Sequence, residues 1–224
     1  MCIIMNLSNN VQISKEEFIK MGHKSEELIR KFYFPRAVLS QELKKGDRIL
    51  DIGCGYGLFL KVCDKYGLET YGIDVVEEAI NEAKKVTKAK LYIHNVDNGL
   101  EMFKDEFFDI VTLFDVIEHL QCPYKVLREV YRVLKKNGKI VITTPNLNAI
   151  LRYLKKDKWH GFRDRTHLYL FVPLSLKFLV ERAGFKIVKI ETVFRPLPIP
   201  NLIKRLLDKT GLGGEIWCIG IKGS

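Results

Sequence analysis

Residues 51–57 read Asp51-Ile52-Gly53-Cys54-Gly55-Tyr56-Gly57, and this stretch decides the fold. It ends the apolar run 48–52, which predicts a short buried strand, and it opens the stretch 57–66, whose apolar spacing predicts a helix. Glycines at alternate positions let the backbone turn tightly and approach a ligand without a Cβ in the way. The first turn of the helix offers unpaired N–H groups that carry partial positive charge. The pattern therefore predicts a ligand-binding loop between a strand and a helix.

The spacing of the glycines and the acid in front of them narrow the class of ligand. The dinucleotide motif G-x-G-x-x-G would need its third glycine at position 58, which is Leu58. No G-K-[ST] follows, so a Walker A phosphate loop is excluded. Asp51 would repel a pyrophosphate, yet it suits a ligand that carries an ammonium and a sulfonium group. The loop favours a nucleoside sulfonium, and an NAD-dependent oxidoreductase is only a distant alternative.

Strands and helices alternate along most of the chain. Compact apolar runs predict further strands at 69–73, 90–94, 107–114, 139–143, 185–193 and 215–221. Helical patterns lie at 77–86, 123–135 and 173–183, and Asn137-Gly138 is expected to cap the second of these. Alternation with crossovers of this length predicts an α/β fold whose mainly parallel sheet is covered by helices on both faces.

Three stretches stand outside the alternation. Residues 14–43 are amphipathic at helical spacing, so residues 1–44 are predicted to form an N-terminal helical lid on a main domain of residues 45–224. Residues 144–172 and 195–214 are long connections within that domain. Long connections in a compact domain often carry binding function, so both are predicted to be insertions on the acceptor side.

The charge is unevenly distributed. The chain has 37 Lys and Arg against 27 Asp and Glu, and residues 144–224 alone hold 15 basic and 6 acidic residues. Such a surface attracts anionic partners such as phosphates, uronates, RNA or acidic lipid, although a merely solvated lysine-rich surface explains it equally well. Residues 202–207, Leu-Ile-Lys-Arg-Leu-Leu, could form an amphipathic helix that contacts a membrane surface or packs as a lid.

Two further features bear on location. No apolar stretch is long enough to cross a bilayer. The five cysteines are scattered without a C-x-x-C pair, which gives neither a zinc site nor a disulfide framework. Both features fit a protein of the reducing cytoplasm.

Acids stand at or near the ends of three successive predicted strands. Asp51 leads the glycine loop, Asp74 precedes Val75 after the second strand, and Asp97 follows the third. A carboxylate in the second position can accept hydrogen bonds from ribose hydroxyls, and Asp97 could accept from an adenine amino group. A single Asp after a strand is more often a turn residue or a helix cap. Taken together with the glycine spacing, the three acids predict a nucleoside-sulfonium site.

These segments resemble the successive motifs of class I S-adenosylmethionine (SAM)-dependent methyltransferases. The resemblance is carried by residues 49–57, Gly72-Ile73-Asp74, Phe108-Asp109-Ile110-Val111, Asp115-Val116-Ile117-Glu118-His119-Leu120, residues 128–138 and Thr144-Pro145-Asn146. Residues 164–168, 175–176 and 183–185 are similar to the branch that includes ubiquinone-pathway O-methyltransferases and glycan-tailoring enzymes. The resemblance implies a Rossmann-like sheet of seven strands with the last strand antiparallel.

The resemblance also implies a set of cofactor contacts. Side-chain and backbone contacts to SAM are expected at Asp51, Gly53, Gly55, Gly57, Asp74 and Asp97. Cys54 and Val75 lie within the same segments, Cys54 as a small filler of the loop. The backbone near Phe114 and Asp115 would border the methionine end of the cofactor.

Asp115-x-x-Glu118-His119 is the sharpest candidate for chemistry. Methyl transfer to a hydroxyl needs a proton acceptor, or a metal that lowers the pKa of the hydroxyl. In a helical turn these three residues would share one face, where they could hold a divalent cation or offer His119 as a base. Similar acid-x-x-Glu-His groups hold a metal in some ubiquinone-pathway and small-RNA methyltransferases. Here Asp115 stands where those usually have Glu, so a metal is not favoured over a structural role for Glu118 and His119.

The connection 144–172 supplies further candidates. His160 and His167 are alternative bases, and His167 could instead pin the loop to Asp164. The predicted acceptor contacts are Trp159, Arg163 and Arg165, where the arginines would hold an anionic group and Trp159 could equally be packing.

The sequence thus predicts a cytoplasmic SAM-dependent methyltransferase that releases S-adenosyl-L-homocysteine. We expect O-methylation of a small-molecule, carbohydrate or lipid-linked acceptor. An RNA methyltransferase is the second hypothesis, favoured by the basic last third, and a non-catalytic SAM-binding protein is the third.

Overall fold

A computed structural model describes residues 26–194 and 210–223. Its strands are β1 Arg48–Ile52, β2 Glu69–Asp74, β3 Lys90–Ile93, β4 Phe108–Phe114, β5 Leu134–Pro145, β6 Phe185–Val193 and β7 Glu215–Lys222. They form a seven-stranded sheet in the order β3-β2-β1-β4-β5-β7-β6. Strand β2 is parallel to β1 and β3, β4 is parallel to β5, and β7 is antiparallel to β5 and β6. The predicted mainly parallel sheet with an antiparallel last strand is confirmed.

The helices of the described residues follow the predicted pattern. They are α1 Glu26–Leu28, α2 Phe34–Ala37, α3 Leu58–Tyr66, α4 Glu77–Ala83, α5 Pro123–Val133, α6 Ile150–Lys155, α7 His160–Arg163 and α8 Pro173–Arg182. Single 3₁₀ turns include Leu39–Gln41, Val96–Asn98, Ile117–His119 and Lys156–Lys158. No helix among these residues is both long and apolar enough to span a membrane.

The chain divides into two compact units, one up to Val96 and one from Asp97 onward. In the first unit, β1 is buried through Ile49, Leu50 and Ile52, each at most 1% exposed. Helix α3 buries four apolar residues and contacts β2. A buried strand that leads through the glycine loop into a buried helix holds both ends of that loop in place.

The start of the described chain is helical but irregular. A π-helical segment, Ile29–Tyr33, separates α1 from α2, and α2 begins just before Pro35. Proline has no N–H to donate and its ring crowds the preceding turn, which disrupts an α-helical ladder at this point. Glu26 pairs with Lys61 at 2.7 Å and Lys65 at 3.0 Å, so this segment is tied to α3. The helix predicted at 14–43 is confirmed from residue 26; its earlier part lies outside the described residues, and the lid stays a prediction.

In the second unit, α5 and β5 correct the predicted boundary between them. The helix ends at Val133 rather than 135, and β5 begins at Leu134 rather than 139. The carbonyls of Arg132 and Val133 accept the N–H groups of Glu106 and Phe107, so the chain leaves the helix to pair with β4. Asn137, at φ 61°, lies inside β5, where the register against β4 shifts. Asn137-Gly138 is therefore an irregularity within a strand and not a helix cap.

The connection 144–172 is more ordered than its sequence indicates. It contains α6, the turn Lys156–Lys158 and α7, and its two ends are joined by a bridge between Asn146 and Phe171. Helix α6 has no buried residue. Of the second predicted insertion, residues 195–209 lie outside the described residues, the 202–207 segment included.

Candidate functional site

The glycine loop in the first unit has the backbone that its sequence predicts. Gly53, Gly55 and Gly57 have φ values of 72°, 50° and 70°, which residues other than glycine rarely adopt. The N–H groups of Gly53 and Cys54 donate to the carbonyl of Ile73 at 2.8 and 3.0 Å, which fastens the loop to β2. Cys54 is 7% exposed and packs in an apolar cluster, which fits the role of a small filler.

Asp74 at the end of β2 is joined to this loop. Its Oδ2 accepts the N–H of Gly55 at 2.8 Å and its Oδ1 accepts the N–H of Val76 at 2.9 Å, which places Val75 between two anchored residues. Burial raises the pKa of Asp74, although these N–H donors act in the opposite direction. Asp51 in β1 is buried as well, at 3% exposure. The first unit thus presents the glycines and two of the three predicted acids, while their contacts with SAM stay predictions.

The remaining predicted cofactor residues belong to the second unit. The carboxylate of Asp97 accepts the N–H of Gln121 at 3.1 Å and of Cys122 at 3.2 Å, just before α5. Phe114 is 6% exposed and its ring lies 5.9 Å from that of Trp217. Asp115 has a left-handed φ of 54° and donates its N–H to the carbonyl of Thr143 at 2.9 Å. Asp97 therefore also helps to hold the start of α5, and its contact with adenine stays a prediction.

The second unit contains a buried cluster of three residues. One oxygen of Glu118 and one nitrogen each of His119 and His167 lie within 4.8 Å of one another. The sequence predicted Asp115 with Glu118 and His119 on one helical face. The helical turn is only the three residues Ile117–His119, and the left-handed Asp115 precedes it, so His167 completes the cluster in place of Asp115. We define Glu118, His119 and His167 as the Glu-His-His cluster.

Glu118 is a carboxyl group with one partnered oxygen. It is 1% exposed; its Oε2 accepts the hydroxyl of Thr144 at 3.0 Å, and its Oε1 has no hydrogen-bond partner. Burial and, secondly, the nearby charge of Asp115 raise its pKa to about 8. Its backbone carbonyl accepts the N–H groups of Leu168 and Tyr169, which brings the chain around His167 to this position.

His119 has one engaged and one unengaged nitrogen. Its Nδ1 lies 2.9 Å from the Thr166 hydroxyl and 3.2 Å from the Thr166 carbonyl, and its buried Nε2 has no partner. Burial and, secondly, His167 lower its pKa to about 4. A base with so low a pKa is poorly matched to removing a proton from a hydroxyl at neutral pH. A neutral imidazole with a free nitrogen is instead the form that binds a metal.

The other predicted site residues of the second unit lie in different environments. Trp159 is 1% exposed and its ring lies 4.9 Å from His160 and 5.1 Å from Phe162. His160, Arg163 and Arg165 are exposed, and none of them is part of the Glu-His-His cluster. The sequence did not predict a role for Thr166, which contacts both His119 and Asp164. The spacing Asp-x-Thr-His of residues 164–167 is the pattern that could have indicated it.

Comparison with known proteins identifies the family of the chain. A family model described as a methyltransferase domain matches residues 21–190. A ubiquinone biosynthesis O-methyltransferase of Roseobacter denitrificans is 31% identical over 182 residues, which cover 73% of this chain and 70% of that protein. An uncharacterized protein of Methanocaldococcus jannaschii is 31% identical over 145 residues, and there the match spans 63% of this chain and only 55% of the relative.

Solved structures give the same result. A SAM-dependent methyltransferase of Archaeoglobus fulgidus is 25% identical, with a TM-score of 0.68 over 88% of this chain and 95% of that one. A putative methyltransferase of Haloferax volcanii, solved with the Trm112 methyltransferase activator, has the same fold at a TM-score of 0.67 and 16% identity, over 89% of this chain and 94% of that chain. With its glycine loop, its seven-stranded sheet and a family match over most of its length, this chain belongs to the SAM-dependent methyltransferases.

Proposed function

We propose that this methyltransferase transfers the methyl group of SAM to a hydroxyl oxygen of a small-molecule, carbohydrate or lipid-linked acceptor. The observation that carries the proposal is the Glu-His-His cluster, in which Glu118 Oε1 and His119 Nε2 are buried and without partners. Unpartnered buried polar atoms cost stability, so a site that keeps two of them together is explained by a ligand that supplies the missing contacts.

A divalent cation is the ligand that fits this cluster. One carboxylate and two imidazoles are a common donor set for first-row transition metals, and the ligand atoms here lie within 4.8 Å of one another. The sequence did not favour a metal, because Asp115 stands where related enzymes usually have Glu; in the structure His167 lies with Glu118 and His119 instead. A bound cation would lower the pKa of a coordinated hydroxyl, which is the proton chemistry that O-methylation needs.

The chain's own residues then have separate roles. In the first unit, the glycine loop and Asp74 would bind SAM, with the Asp74 carboxylate directed to the ribose hydroxyls. In the second unit, the Glu-His-His cluster would receive the acceptor oxygen, and Thr144 would hold the Glu118 carboxyl through its hydroxyl. Holding the acceptor in a fixed position is the larger share of the catalysis of a methyl transfer.

Helix α6 supports the lipid-linked class of acceptor. Its residues Ile150, Leu151, Tyr153 and Leu154 are 45–75% exposed, and the basic residues of the surrounding segment are Arg152, Lys155, Lys156 and Lys158. Exposed apolar side chains among lysines and arginines are typical of peripheral contact with an anionic membrane. Tyr153 also lines an open cavity of about 420 Å³ with Leu174 and Leu212, which could accept part of a chain-like substrate.

The test is a methyl-transfer assay with labelled SAM against three pools: phenols and other small hydroxyl compounds, glycans with lipid-linked saccharides, and RNA. Each pool is run with EDTA and then with Mn²⁺, Mg²⁺ or Zn²⁺ restored. We expect label on a hydroxyl oxygen in one of the first two pools, loss with EDTA and recovery with one cation. Label on RNA would favour the RNA methyltransferase instead, and SAM binding without transfer to any pool would favour the non-catalytic alternative.

Variants distinguish the cluster from its surroundings. Glu118→Gln and His119→Gln remove one ligand atom each and are expected to reduce transfer at least 100-fold while SAM still binds. Glu181→Gln, an exposed carboxylate on α8, is the matched control and is expected to retain activity. Full activity of His119→Gln in EDTA would overturn the role proposed for the cluster.

A further inference from the structure

We propose that the loop of residues 161–167 is a positioning device that fixes both histidines of the Glu-His-His cluster in the tautomer with hydrogen on Nδ1. The Nε2 lone pairs of His119 and His167 are then both left for one ligand. This inference rests on the proposed function for the identity of that ligand. The tautomers themselves follow from contacts within the second unit.

The tautomer of His119 follows from its two oxygen neighbours. The carbonyl oxygen of Thr166, 3.2 Å from Nδ1, can only accept a hydrogen bond, so Nδ1 must carry the hydrogen. The Thr166 hydroxyl, 2.9 Å from the same nitrogen, donates its own hydrogen to Asp164 Oδ1 at 2.6 Å and therefore accepts from His119. The backbone N–H of Thr166 also donates to Asp164 Oδ1, at 3.0 Å. The hydrogen bonds run in one direction, from His119 through Thr166 to Asp164.

The tautomer of His167 follows in the same way. Its Nδ1 lies 2.9 Å from the carbonyl oxygen of Gly161, which again can only accept. Its Nε2 lies 3.7 Å from Asp164 Oδ2, which is too long for a hydrogen bond. His167 is therefore held mainly by Gly161, and the contact with Asp164, which the sequence indicated as one alternative role of His167, is the longer one.

The position of the Gly161 carbonyl is itself fixed by packing. A Cβ at Gly161 would lie 2.0 Å from the Trp159 ring, so only glycine fits beneath that buried side chain. This contact gives Trp159 a role in shaping the loop, which differs from the acceptor contact that the sequence predicted. Metal-binding histidines usually donate their other N–H to a carbonyl or carboxylate, and loss of such a partner weakens metal binding by about 10- to 100-fold.

The first measurement needs neither metal nor activity. In the metal-free protein, ¹⁵N–¹H correlation spectra of the imidazole side chains report which nitrogen carries the hydrogen. We expect the neutral imidazoles of His119 and His167 both to carry it on Nδ1. A neutral imidazole of either residue with its hydrogen on Nε2 would overturn the inference, whether or not the enzyme binds a cation or transfers methyl groups.

The second measurement tests the positioning role. Thr166→Val removes the hydroxyl that joins His119 to Asp164, and Thr166→Ser retains it. Thr70→Val is the matched control, because the Thr70 hydroxyl likewise donates to an aspartate, Asp64, in the first unit. We expect the Nδ1–H signal of His119 to shift in Thr166→Val, because one of its two acceptors is lost while the carbonyl remains. Mn²⁺ affinity by calorimetry should fall about 10- to 100-fold, with Thr166→Ser and Thr70→Val near wild type.

The outcomes separate the two proposals. If Thr166→Val binds Mn²⁺ as the wild type does and shows the wild-type His119 signal, the positioning role is wrong, while the proposed function is untouched. If the wild-type protein shows both Nδ1–H tautomers but neither binds a cation nor methylates a hydroxyl, the proposed function is wrong and the tautomer inference stands.

Discussion

Replacing Glu118 by Gln should change how stability depends on pH. The folded chain holds a proton on Glu118 up to a pKa of about 8, because the carboxyl is buried and lies near Asp115. The unfolded chain releases that proton near pH 4.5. Between these values the folded state binds more protons, so the free energy of unfolding falls as pH rises. Gln has no such proton, and Glu118→Gln should lose this slope.

The effect is measured above pH 6.5, where the contribution of His119 no longer opposes that of Glu118. His119 has its pKa lowered to about 4 from 6.5, so its contribution rises with pH between these two values and cancels that of Glu118 there. Above pH 6.5, of these two groups, Glu118 alone still changes its contribution with pH. From pH 6.5 to 8 it amounts to about 2 kcal/mol, at about 1.4 kcal/mol for each pH unit.

Urea unfolding at pH 6.5 and at pH 8.5, in the presence of EDTA, measures this difference. The wild type and the exposed control Glu181→Gln should each lose about 2 kcal/mol more than Glu118→Gln across this interval. With Mn²⁺ the slope of the wild type should flatten, because a coordinated carboxylate is ionised at both pH values. Parallel curves for the wild type and Glu118→Gln in EDTA would refute a protonated, buried Glu118.

Three further predictions test the rest of the chain. Asp74→Asn should weaken SAM binding about 10- to 100-fold in calorimetry, since charge-assisted hydrogen bonds contribute about 1.5 to 3 kcal/mol, and an unchanged Kd would remove Asp74 from the ribose site. Leu154→Glu on α6 should reduce sedimentation of the protein with phosphatidylglycerol vesicles at least threefold, whereas Val188→Glu, at another exposed apolar position, should not. Equal effects of the two substitutions would exclude α6 as the membrane contact. Gly57→Ala should lower the free energy of unfolding more than Gly46→Ala, because both have positive φ but only Gly57 has side chains 3.0 Å from an added Cβ; equal losses in urea titration would contradict this packing.

Local patterns were enough to predict most of the fold. The strand that leads into the glycine loop, and the helix after it, are decided by residues within about ten positions of one another, and their apolar faces are buried as expected. The left-handed φ values of the loop glycines follow from the same short stretch. Elements with regular apolar spacing are predictable because the secondary structure that this spacing favours is also the one that buries the apolar face.

The end of α5 was not predictable by the same means. Asn137-Gly138 is a typical signal for the end of a helix, and nothing nearby in the sequence argues against it. The helix ends earlier because the carbonyls of Arg132 and Val133 bond to residues 106 and 107, about 26 positions away in the chain. A hydrogen-bond partner so distant in the sequence does not change the local pattern of residues around the helix end.

The same distinction between local and long-range contacts applies to the candidate site. Glu118 and His119 were found because they are adjacent in a recognisable motif. His167, 48 positions after His119, could be named as a candidate base but not placed beside them. Its position depends on Leu168 and Tyr169, which donate to the Glu118 carbonyl, and on Thr166, which binds His119. These contacts are long-range, and those of Leu168 and Tyr169 join backbone groups, which residue types alone do not reveal.

The Glu-His-His cluster is costly to the fold, and the cost itself favours a ligand. Burial opposes ionisation of Glu118 and His119, which is why the Glu118 carboxyl stays protonated and His119 stays neutral near pH 7. Apolar side chains in the same volume would avoid two unpartnered polar atoms, and such replacements are often neutral or stabilising in protein interiors. A cation reverses this balance, because it pairs with the carboxylate and with the free imidazole nitrogens together. If Glu118→Leu with His119→Leu proved more stable than the wild type in EDTA but less stable than the wild type in Mn²⁺, the cluster would be shown to serve the ligand at the expense of the fold. Greater stability of the double variant in both conditions would remove the ligand from that explanation.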